Sequence, residues 1–373
     1  MAVLGEGSAG LGGTESRGFD ILPAPELIRI PVSSIPRLQP TISHHVFSQL
    51  EKHFQPIVPP KAIFTEKDVP DLKGKVCIVT GSNTGVGKEI AQILYAKNAK
   101  VYLAARSEEK TRKAIDDIKA ASPNTTKGQM EYLRLDLSDL SAVKSASEEF
   151  LSKESQLHLL FNNAGLGYPE RGLKTVQGHE LQLGVNCVGP FLFTQRLTPT
   201  IVSTARNSPK DSVRVIWASS SATEGYAVNG NWMDYINHPE KKSSFELYAT
   251  SKMGNYFYGA EYAARHKEDG VISVSLNPGH LDSDFWRSTG RFLNWLLRVT
   301  VLYPSVYGAY TNIFSAISPQ VTSEKSGSFV APWGRLWQVT PDKVNAVKPK
   351  KSGGLGISQT FWEWSEAQVK DYM

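Results

Sequence analysis

The chain has 373 residues, of which 40% are hydrophobic and 21% charged, and its formal net charge is +5 at pH 7. This composition suits a globular protein with a large apolar core, and its basic residues form no clustered stripe, so we expect no nucleic-acid partner. Its two cysteines exclude both a disulfide framework and a zinc cluster of four cysteines, and we expect no metal.

The first 70 residues predict an N-terminal extension rather than a domain. Residues 1–19 are rich in Gly and Ser and lack periodicity, which is typical of disorder. Residues 20–70 carry nine prolines, which favour an extended wrapping segment with room for a short helix at 46–53. No apolar run follows the initial Met-Ala-Val-Leu, so we expect no secretory signal and a cytoplasmic location.

From residue 71 the pattern becomes one of alternating strands and helices. Six short apolar runs suit the buried strands of a parallel sheet: Val76–Val79, Val101–Ala104, Tyr132–Leu135, Leu157–Phe161, Val213–Ala218 and Ile272–Leu276. Five helical stretches lie between or after them: Lys88–Asn98, Glu108–Ala121, Leu140–Glu154, Gly178–Ala205 and Tyr248–Lys267. The alternation predicts an α/β fold with a doubly wound parallel sheet of Rossmann type, in a single domain over 71–335.

The last part of the chain, 336–373, predicts a C-terminal extension. We expect a loop over 331–357, because no strand or helix periodicity is evident there. Gln359–Lys370 predicts a terminal helix whose aromatic residues pack on the main domain.

A glycine turn follows the first predicted strand, with the sequence Thr80-Gly81-Ser82-Asn83-Thr84-Gly85-Val86-Gly87. Glycines at this spacing let the backbone approach a pyrophosphate, and the N-terminus of the next helix attracts its negative charge. The candidate dinucleotide-binding residues are Gly81, Asn83, Thr84, Gly85, Val86 and Gly87. Taken alone, the motif could also be only a tight turn.

The second and third predicted strands end at Arg106 and Asp136. An acidic residue after the second strand would bind the ribose hydroxyls of NAD, whereas the guanidinium of Arg106 suits the 2′-phosphate of NADP. A surface arginine at a helix start is the alternative. Asp136 could accept from the adenine amino group, cap the following helix with Ser138 and Asp139, or do both.

The remaining strands end in further polar or small residues. The fourth ends at Asn162-Asn163-Ala164-Gly165, the fifth at Ser219-Ser220-Ser221, and the sixth at Asn277-Pro278-Gly279. Tyr248 and Lys252 lie one helical turn apart on one face of the predicted helix between the last two strands. A Tyr-x-x-x-Lys pair arises by chance in a chain of this composition, so its significance depends on the other motifs.

Taken together, these residues resemble the short-chain dehydrogenase/reductase family over residues 72–335. The family's motifs appear in order: the glycine turn, Asn162-Asn163-Ala164-Gly165, Asn186, Ser220, Tyr248-x-x-x-Lys252 and Pro278-Gly279. A finer resemblance is to the retinol-dehydrogenase-like and WW-domain-oxidoreductase-like members, and to fungal proteins of similar sequence. No WW domain is expected, because residues 1–70 lack its two spaced tryptophans.

The resemblance implies a catalytic set of Asn186, Ser220, Tyr248 and Lys252. In the family, the tyrosine is the general acid/base, and a free phenol pKa of about 10 must be lowered for it to act as a base. The lysine supplies the positive charge and binds the nicotinamide ribose, while the serine holds the reacting oxygen. Alignment of the fifth strand places that serine at Ser220. Asn186 corresponds to the asparagine that anchors a helix kink and a water leading to the lysine.

The resemblance also implies that Asn162, Ala164, Tyr248, Lys252, Pro278 and Gly279 contact an NADP cofactor. The predicted function is NADP(H)-dependent hydride transfer to or from a carbonyl or alcohol of a hydrophobic small molecule, as in fungal secondary metabolism. The alternatives are a carbon–carbon double-bond reductase of the protochlorophyllide-reductase type and a non-catalytic NADP-binding regulator.

The segment 280–303 is predicted to form an apolar lid over the substrate, with peripheral contact with a membrane surface as the alternative. Its longest apolar stretch, 292–303, has 12 residues and contains Arg298. A transmembrane helix needs about 20 residues, so we expect no membrane span. The sequence carries no signal for oligomeric state.

Overall fold

The computed structural model describes residues 59–122, 125–282 and 302–373. The predictions for residues 1–19, for a helix at 46–53 and for most of the segment 280–303 therefore lie outside the described residues. The end of the predicted N-terminal extension is described, and it contributes to the core. Phe64 and Val69 are buried, and the ring of Phe64 packs edge-on against Phe314 with 6.1 Å between centroids.

The described residues form one sheet whose strand order is β3-β2-β1-β4-β5-β6-β7-β8. Neighbours from β3 to β7 are parallel, and β8 is antiparallel to β7. The bounds are β1 Val76–Thr80, β2 Lys100–Ala105, β3 Gln129–Arg134, β4 Leu159–Asn162, β5 Arg214–Ala218, β6 Ile272–Leu276, β7 Phe329–Ala331 and β8 Arg335–Trp337. The predicted doubly wound parallel sheet is confirmed, and all six predicted strands are present.

Five of the longer helices occupy the positions that the alternation predicts: α1 Gly85–Ala96, α2 Glu108–Ala121, α3 Leu140–Lys153, α4 Gly189–Arg206 and α5 Ser244–Arg265. The sequence analysis did not predict the next helix, α6 Ser305–Ile317, and the last is α7 Ile357–Val369. A short helix, Leu181–Leu183, and a π-helical turn, Gly184–Val188, precede α4. Three further short helices are Ser221–Gly225, Asp234–Asn237 and Pro341–Val347.

The central strands of the sheet are buried on both faces, because their alternating side chains meet helices on either side. In β1, Cys77 and Val79 face a core shared with α1, α2 and α6. Val76 and Ile78 face the opposite core, which includes residues of α3, α4, α5 and α7. Within the described ranges, no helix is long and apolar enough to cross a bilayer.

The expectation of a loop over 331–357 is wrong. Part of β7, all of β8 and the helix Pro341–Val347 lie in this stretch. Each strand has three residues, which is too short for a period to show in the sequence. They form because β7 extends the ladder of β6 and β8 then pairs with β7.

The predicted terminal helix is confirmed as α7, and its aromatic face covers α4 and α5. The ring of Phe361 stacks on Tyr258 of α5 at 4.9 Å between centroids, with 24° between the planes. Trp362 meets Phe191 of α4 edge-on at 4.9 Å. The hydroxyl groups of Tyr258 and Ser365 lie 2.7 Å apart in a buried hydrogen bond. The residues of α7 therefore complete the core on the α4 and α5 side of the sheet, which begins at Val76.

A buried imidazole predicts a pH dependence of stability. The Nδ1 atom of His158 accepts a hydrogen bond from the backbone N–H of Val76 at 3.1 Å, so the ring must be neutral there. Burial lowers its pKa from 6.5 to about 4, and the nearby charge of Lys75 adds to this. Between pH 6.5 and 4, His158 is mostly protonated in the unfolded chain but mostly neutral in the folded chain. The free energy of unfolding should therefore fall by up to about 1.4 kcal/mol per pH unit between pH 6.5 and 4 from this group.

The measurement is urea unfolding at several pH values between 4 and 7. His158→Gln should remove this component of the slope, and His238→Gln, which replaces a half-exposed histidine, should retain it. Equal slopes in the wild type and His158→Gln would show that His158 is not the group responsible.

Candidate active site

A cleft of about 1280 Å³ opens at the carboxyl ends of the parallel strands. It lies where the strand order reverses, since β1 has β2 on one side and β4 on the other. Most of the predicted site residues line it: Gly81, Asn83, Thr84, Gly85, Val86, Gly87, Arg106, Asp136, Ala164, Ser220, Tyr248, Lys252, Pro278 and Gly279. The fold thus brings together residues that are up to 198 positions apart in the chain.

The turn between β1 and α1 has the geometry of a phosphate cradle. Gly81 has a φ of +66°, which favours glycine. A Cβ on Gly87 would lie 2.4 Å from the carbonyl oxygen of Gly81, so only glycine fits there. The first turn of α1 carries no acidic residue, and the residues that supply its backbone N–H groups line the cleft wall. These features fit the pyrophosphate of a dinucleotide at the helix N-terminus.

Thr80 fixes this turn to the end of β4, a role that the motif itself does not reveal. Its hydroxyl donates to the carbonyl of Phe161 at 3.1 Å. The same oxygen accepts from the backbone N–H groups of Asn163 and Ala164 at 3.0 and 2.9 Å. Three hydrogen bonds to one hydroxyl therefore set the width of the cleft between β1 and β4.

The far end of the cleft, after β2, is positively charged. Arg106 is exposed on its wall, and Lys110 and Lys113 of α2 line the same wall. Sequence reasoning identified Arg106 but missed the two lysines. Lys110 and Lys113 lie three residues apart on α2 and so share one face of it, while Arg106 lies just before the helix. The spacing of the two lysines was the available signal. Asp117 pairs with Lys113 at 3.0 Å, which partly offsets the charge.

Asp136 lines the cleft beside this cationic end. Its carboxylate accepts from the backbone N–H and the hydroxyl of Ser138, at 3.0 and 2.6 Å. The N-cap of α3 is Asp139, which accepts from the N–H of Ser141 at 3.0 Å. Asp136 therefore shapes the turn rather than capping the helix, and it remains on the cleft wall.

Tyr248 and Lys252 are buried one turn apart on α5, as the spacing predicts. The Nζ atom of Lys252 lies 5.9 Å from the centroid of the Tyr248 ring and donates to the carbonyl of Ala218 at 3.0 Å. Burial lowers the pKa of Lys252 from 10.5 to about 8. Lys252 thus keeps most of its positive charge at neutral pH, close to the phenol.

Burial is the main influence on the phenol of Tyr248, and it raises the pKa above its usual value of 10. A hydrogen bond with Ser220 acts in the opposite direction, and the neighbouring phenol of Tyr168 raises the pKa further. In this structure the phenol therefore holds its proton near neutrality. That protonated state can donate to an oxygen bound in the cleft.

The adjacent serines at the end of β5 have separate roles. The hydroxyl of Ser219 is buried and bonded within the protein: it donates to the carbonyl of Lys252 at 2.6 Å and pairs with the hydroxyl of Thr223. The hydroxyl of Ser220 bonds to Tyr248 and caps the short helix that follows by accepting from the N–H of Ala222 at 3.2 Å. This arrangement supports Ser220 as the serine that faces a substrate.

Asn186 lies in the π-helical turn before α4 and is fully buried. Its Oδ1 accepts from the N–H of Leu166 at 2.7 Å, and its Nδ2 donates to the carbonyl of Leu166 at 3.1 Å and to the hydroxyl of Ser251 at 2.9 Å. Asn186 thus acts behind the cleft wall, by fixing the loop after β4 against α5. Ser251 completes this contact and was missed by the sequence reasoning.

Asn162 was predicted to contact the cofactor, but its side chain points away from the cleft. It is the last residue of β4, and its amide donates to the hydroxyl of Thr194 in α4 at 2.9 Å. Asn163 and Ala164, which follow the end of β4, line the cleft instead. The contribution of Asn162 is therefore to the packing of β4 on α4.

Comparison with known proteins agrees with this fold and site. A family model described as short chain dehydrogenase matches residues 75–232. A short-chain dehydrogenase/reductase of Phomopsis amygdali is 48% identical over 88% of this chain and 99% of its own length. The short-chain dehydrogenase/reductase bet4 of Neocamarosporium betae is 46% identical over 84% of this chain and 92% of its own.

A solved structure from Mycobacterium paratuberculosis has a similar fold, with a TM-score of 0.59, 24% identity and coverage of 82% of this chain and 97% of its own. A Rossmann-type sheet, a glycine turn at its switch point and a Tyr-Lys pair on one helix define an oxidoreductase of the nicotinamide-dependent class. This chain belongs to the short-chain dehydrogenase/reductase family.

The two serines provide a matched pair of substitutions. Ser220→Ala should lower kcat by about a hundredfold, because it removes a hydrogen bond to the reacting oxygen, and it should leave cofactor affinity unchanged. Ser219→Ala should lower the free energy of unfolding by about 1–3 kcal/mol, because the carbonyl of Lys252 loses a buried donor, but it should retain more activity. Steady-state kinetics and urea unfolding measure both effects. A greater loss of kcat in Ser219→Ala would reverse the assignment.

Proposed function

We propose that this protein is an NADP(H)-dependent oxidoreductase that interconverts a carbonyl and an alcohol on a hydrophobic small molecule. The observation that supports this most directly is the convergence of Ser220, Tyr248 and Lys252 in one cleft, with Ser220 bonded to Tyr248 and Lys252 close to its ring. A binding module without catalysis does not require this arrangement of a buried acid, a cation and a hydroxyl.

The residues of the cleft fit a nicotinamide dinucleotide, which supplies the hydride when bound. Gly81, Gly85 and Gly87 with the N-terminus of α1 would hold the pyrophosphate, and Pro278 and Gly279 would line the nicotinamide end. Arg106, with Lys110 and Lys113 beside it, favours NADP over NAD, because a 2′-phosphate needs cations where NAD needs a carboxylate.

In the reductive direction, Tyr248 donates its proton to the carbonyl oxygen of the substrate. Ser220 holds that oxygen by a hydrogen bond, so that the carbonyl carbon faces the nicotinamide side of the cleft. Lys252 stabilises the phenolate that remains, since its charged Nζ is fixed near the ring by the carbonyl of Ala218. Because burial raises the pKa of Tyr248, the phenol carries its proton before the reaction, and the positive charge of Lys252 favours loss of that proton to the substrate.

The walls near Tyr248 favour an apolar substrate. Leu166, Tyr168, Pro169, Phe245 and Leu281 line this part of the cleft. Phe245 is 52% exposed, so its ring is open to a molecule bound in the cleft. We propose a hydrophobic ketone, aldehyde or alcohol, and a place in fungal secondary metabolism, as the fungal origin of the relatives suggests.

Cofactor preference tests the assignment of Arg106. Arg106→Asp should weaken NADPH binding by about tenfold or more and strengthen NADH binding, because it replaces a cation with a carboxylate. Arg112→Asp is the control, since Arg112 lies on α2, close to Arg106 in the chain, and pairs with Glu108 outside the cleft. The measurement is fluorescence titration with each cofactor. Equal wild-type affinities for NADPH and NADH would contradict the proposed cofactor preference.

Substitution of the catalytic pair tests the chemistry. Tyr248→Phe should reduce turnover by about a thousandfold or more and leave NADPH affinity nearly unchanged, because it removes the proton donor and little volume. Lys252→Ala should impair both turnover and cofactor binding. Tyr258→Phe is the control, because this buried phenol bonds to Ser365 outside the cleft.

Assays with a panel of hydrophobic carbonyls and alcohols, followed by nicotinamide absorbance, give these rates. Product analysis separates carbonyl reduction from reduction of a carbon–carbon double bond. Substantial activity in Tyr248→Phe would show that another group transfers the proton.

A further inference from the structure

Tyr168 lies against the catalytic tyrosine, on the loop after β4. The centroids of the Tyr168 and Tyr248 rings are 5.3 Å apart, with 51° between their planes. This separation and tilt are typical of an attractive aromatic pair. Tyr168 is half-buried and lines the same cleft as Tyr248, so part of its ring is accessible to a bound molecule.

The loop that carries Tyr168 is fixed at both ends. Two residues before it, the backbone N–H and carbonyl of Leu166 both bond to the amide of Asn186. Three residues after it, Arg171 donates to the carbonyls of Glu240 and Lys242 at 3.3 and 2.9 Å. Those carbonyls lie just before α5, the helix that carries Tyr248. The position of Tyr168 is therefore set relative to the catalytic helix.

The ring of Tyr248 consequently has neighbours of two kinds. The ammonium of Lys252 lies 5.9 Å from its centroid, and the ring of Tyr168 packs against it at 5.3 Å. A phenol that must direct its O–H at a substrate oxygen gains from such packing, because an unsupported ring would rotate about its χ torsions.

We propose that Tyr168 positions the Tyr248 ring for proton transfer and provides the surface on which an aromatic or conjugated ring of the substrate packs. The proposal rests on the proposed carbonyl–alcohol chemistry. A carbonyl oxygen bonded to Tyr248 and Ser220 places its substituent beside the accessible part of Tyr168. A flat unsaturated ring gains an aromatic contact there, whereas a saturated ring of equal size gains only apolar contact.

The kinetic test compares two variants and two probe ketones. Tyr168→Phe keeps the aromatic ring, and Tyr168→Leu keeps an apolar side chain without one. The probes are acetophenone and cyclohexyl methyl ketone, which are similar in size. In Tyr168→Leu, kcat should fall about tenfold for both probes, because Tyr248 is less well positioned. KM should rise about three- to tenfold for acetophenone alone.

Tyr168→Phe should restore wild-type kcat and KM within about twofold, and NADPH affinity should be unchanged in both variants. An unchanged kcat in Tyr168→Leu would overturn the positioning role. An equal rise in KM for both ketones would overturn the preference for an unsaturated ring.

A binding measurement separates this proposal from the proposed function. Calorimetric titration of each ketone into Tyr248→Phe, which lacks the proton donor, and into Tyr248→Phe/Tyr168→Leu requires no turnover. A preference for acetophenone that is present in the first protein and lost in the second supports the packing surface, whatever the reaction is. The same preference in both proteins would overturn it.

Discussion

The buried amide of Asn186 joins the two segments on which the site depends. Both of its polar atoms bond to the backbone of Leu166, and Nδ2 also bonds to Ser251, at distances of 2.7–3.1 Å. A buried amide that loses a partner costs about 1–3 kcal/mol, so these contacts resist separation. The loop after β4 is therefore held against α5. The π-helical turn at Gly184–Val188 is the local geometry in which Asn186 makes this connection.

Burial is the main influence on the protonation states of Lys252 and Tyr248. Burial lowers the pKa of Lys252 and raises that of Tyr248, so each shift favours the uncharged form. The carbonyl of Ala218 and the hydroxyl of Ser220 provide the compensating hydrogen bonds. A lysine pKa of about 8 leaves the ammonium predominant at pH 7 while the phenol keeps its proton. The same packing that stabilises the core thus prepares a proton donor beside a cation.

The sequence predicted the sheet and most of the cleft because these features have a clear pattern. The six longer strands are apolar runs, and parallel strands place the residues that follow them at one edge. The three-residue strands β7 and β8 had no such pattern, since they depend on pairing with β6. The direction of the Asn162 side chain could not be predicted, because two adjacent asparagines look alike in the sequence and only the fold shows that Asn162 bonds to Thr194 of α4. The sequence places Lys110 and Lys113 on one face of α2, but only the structure shows that this face lines the cleft beside Arg106.

The position of α7 has a consequence for how the protein is made. Phe361 and Trp362 belong to the same core as residues of β1, α4 and α5, and among the buried members of that core in the described residues only Val369 follows them. A ribosome synthesises α4 and α5 long before α7. The aromatic faces of α4 and α5 therefore stay uncovered until α7 has emerged, and a chain that stalls before residue 357 leaves them open to chaperones or to aggregation.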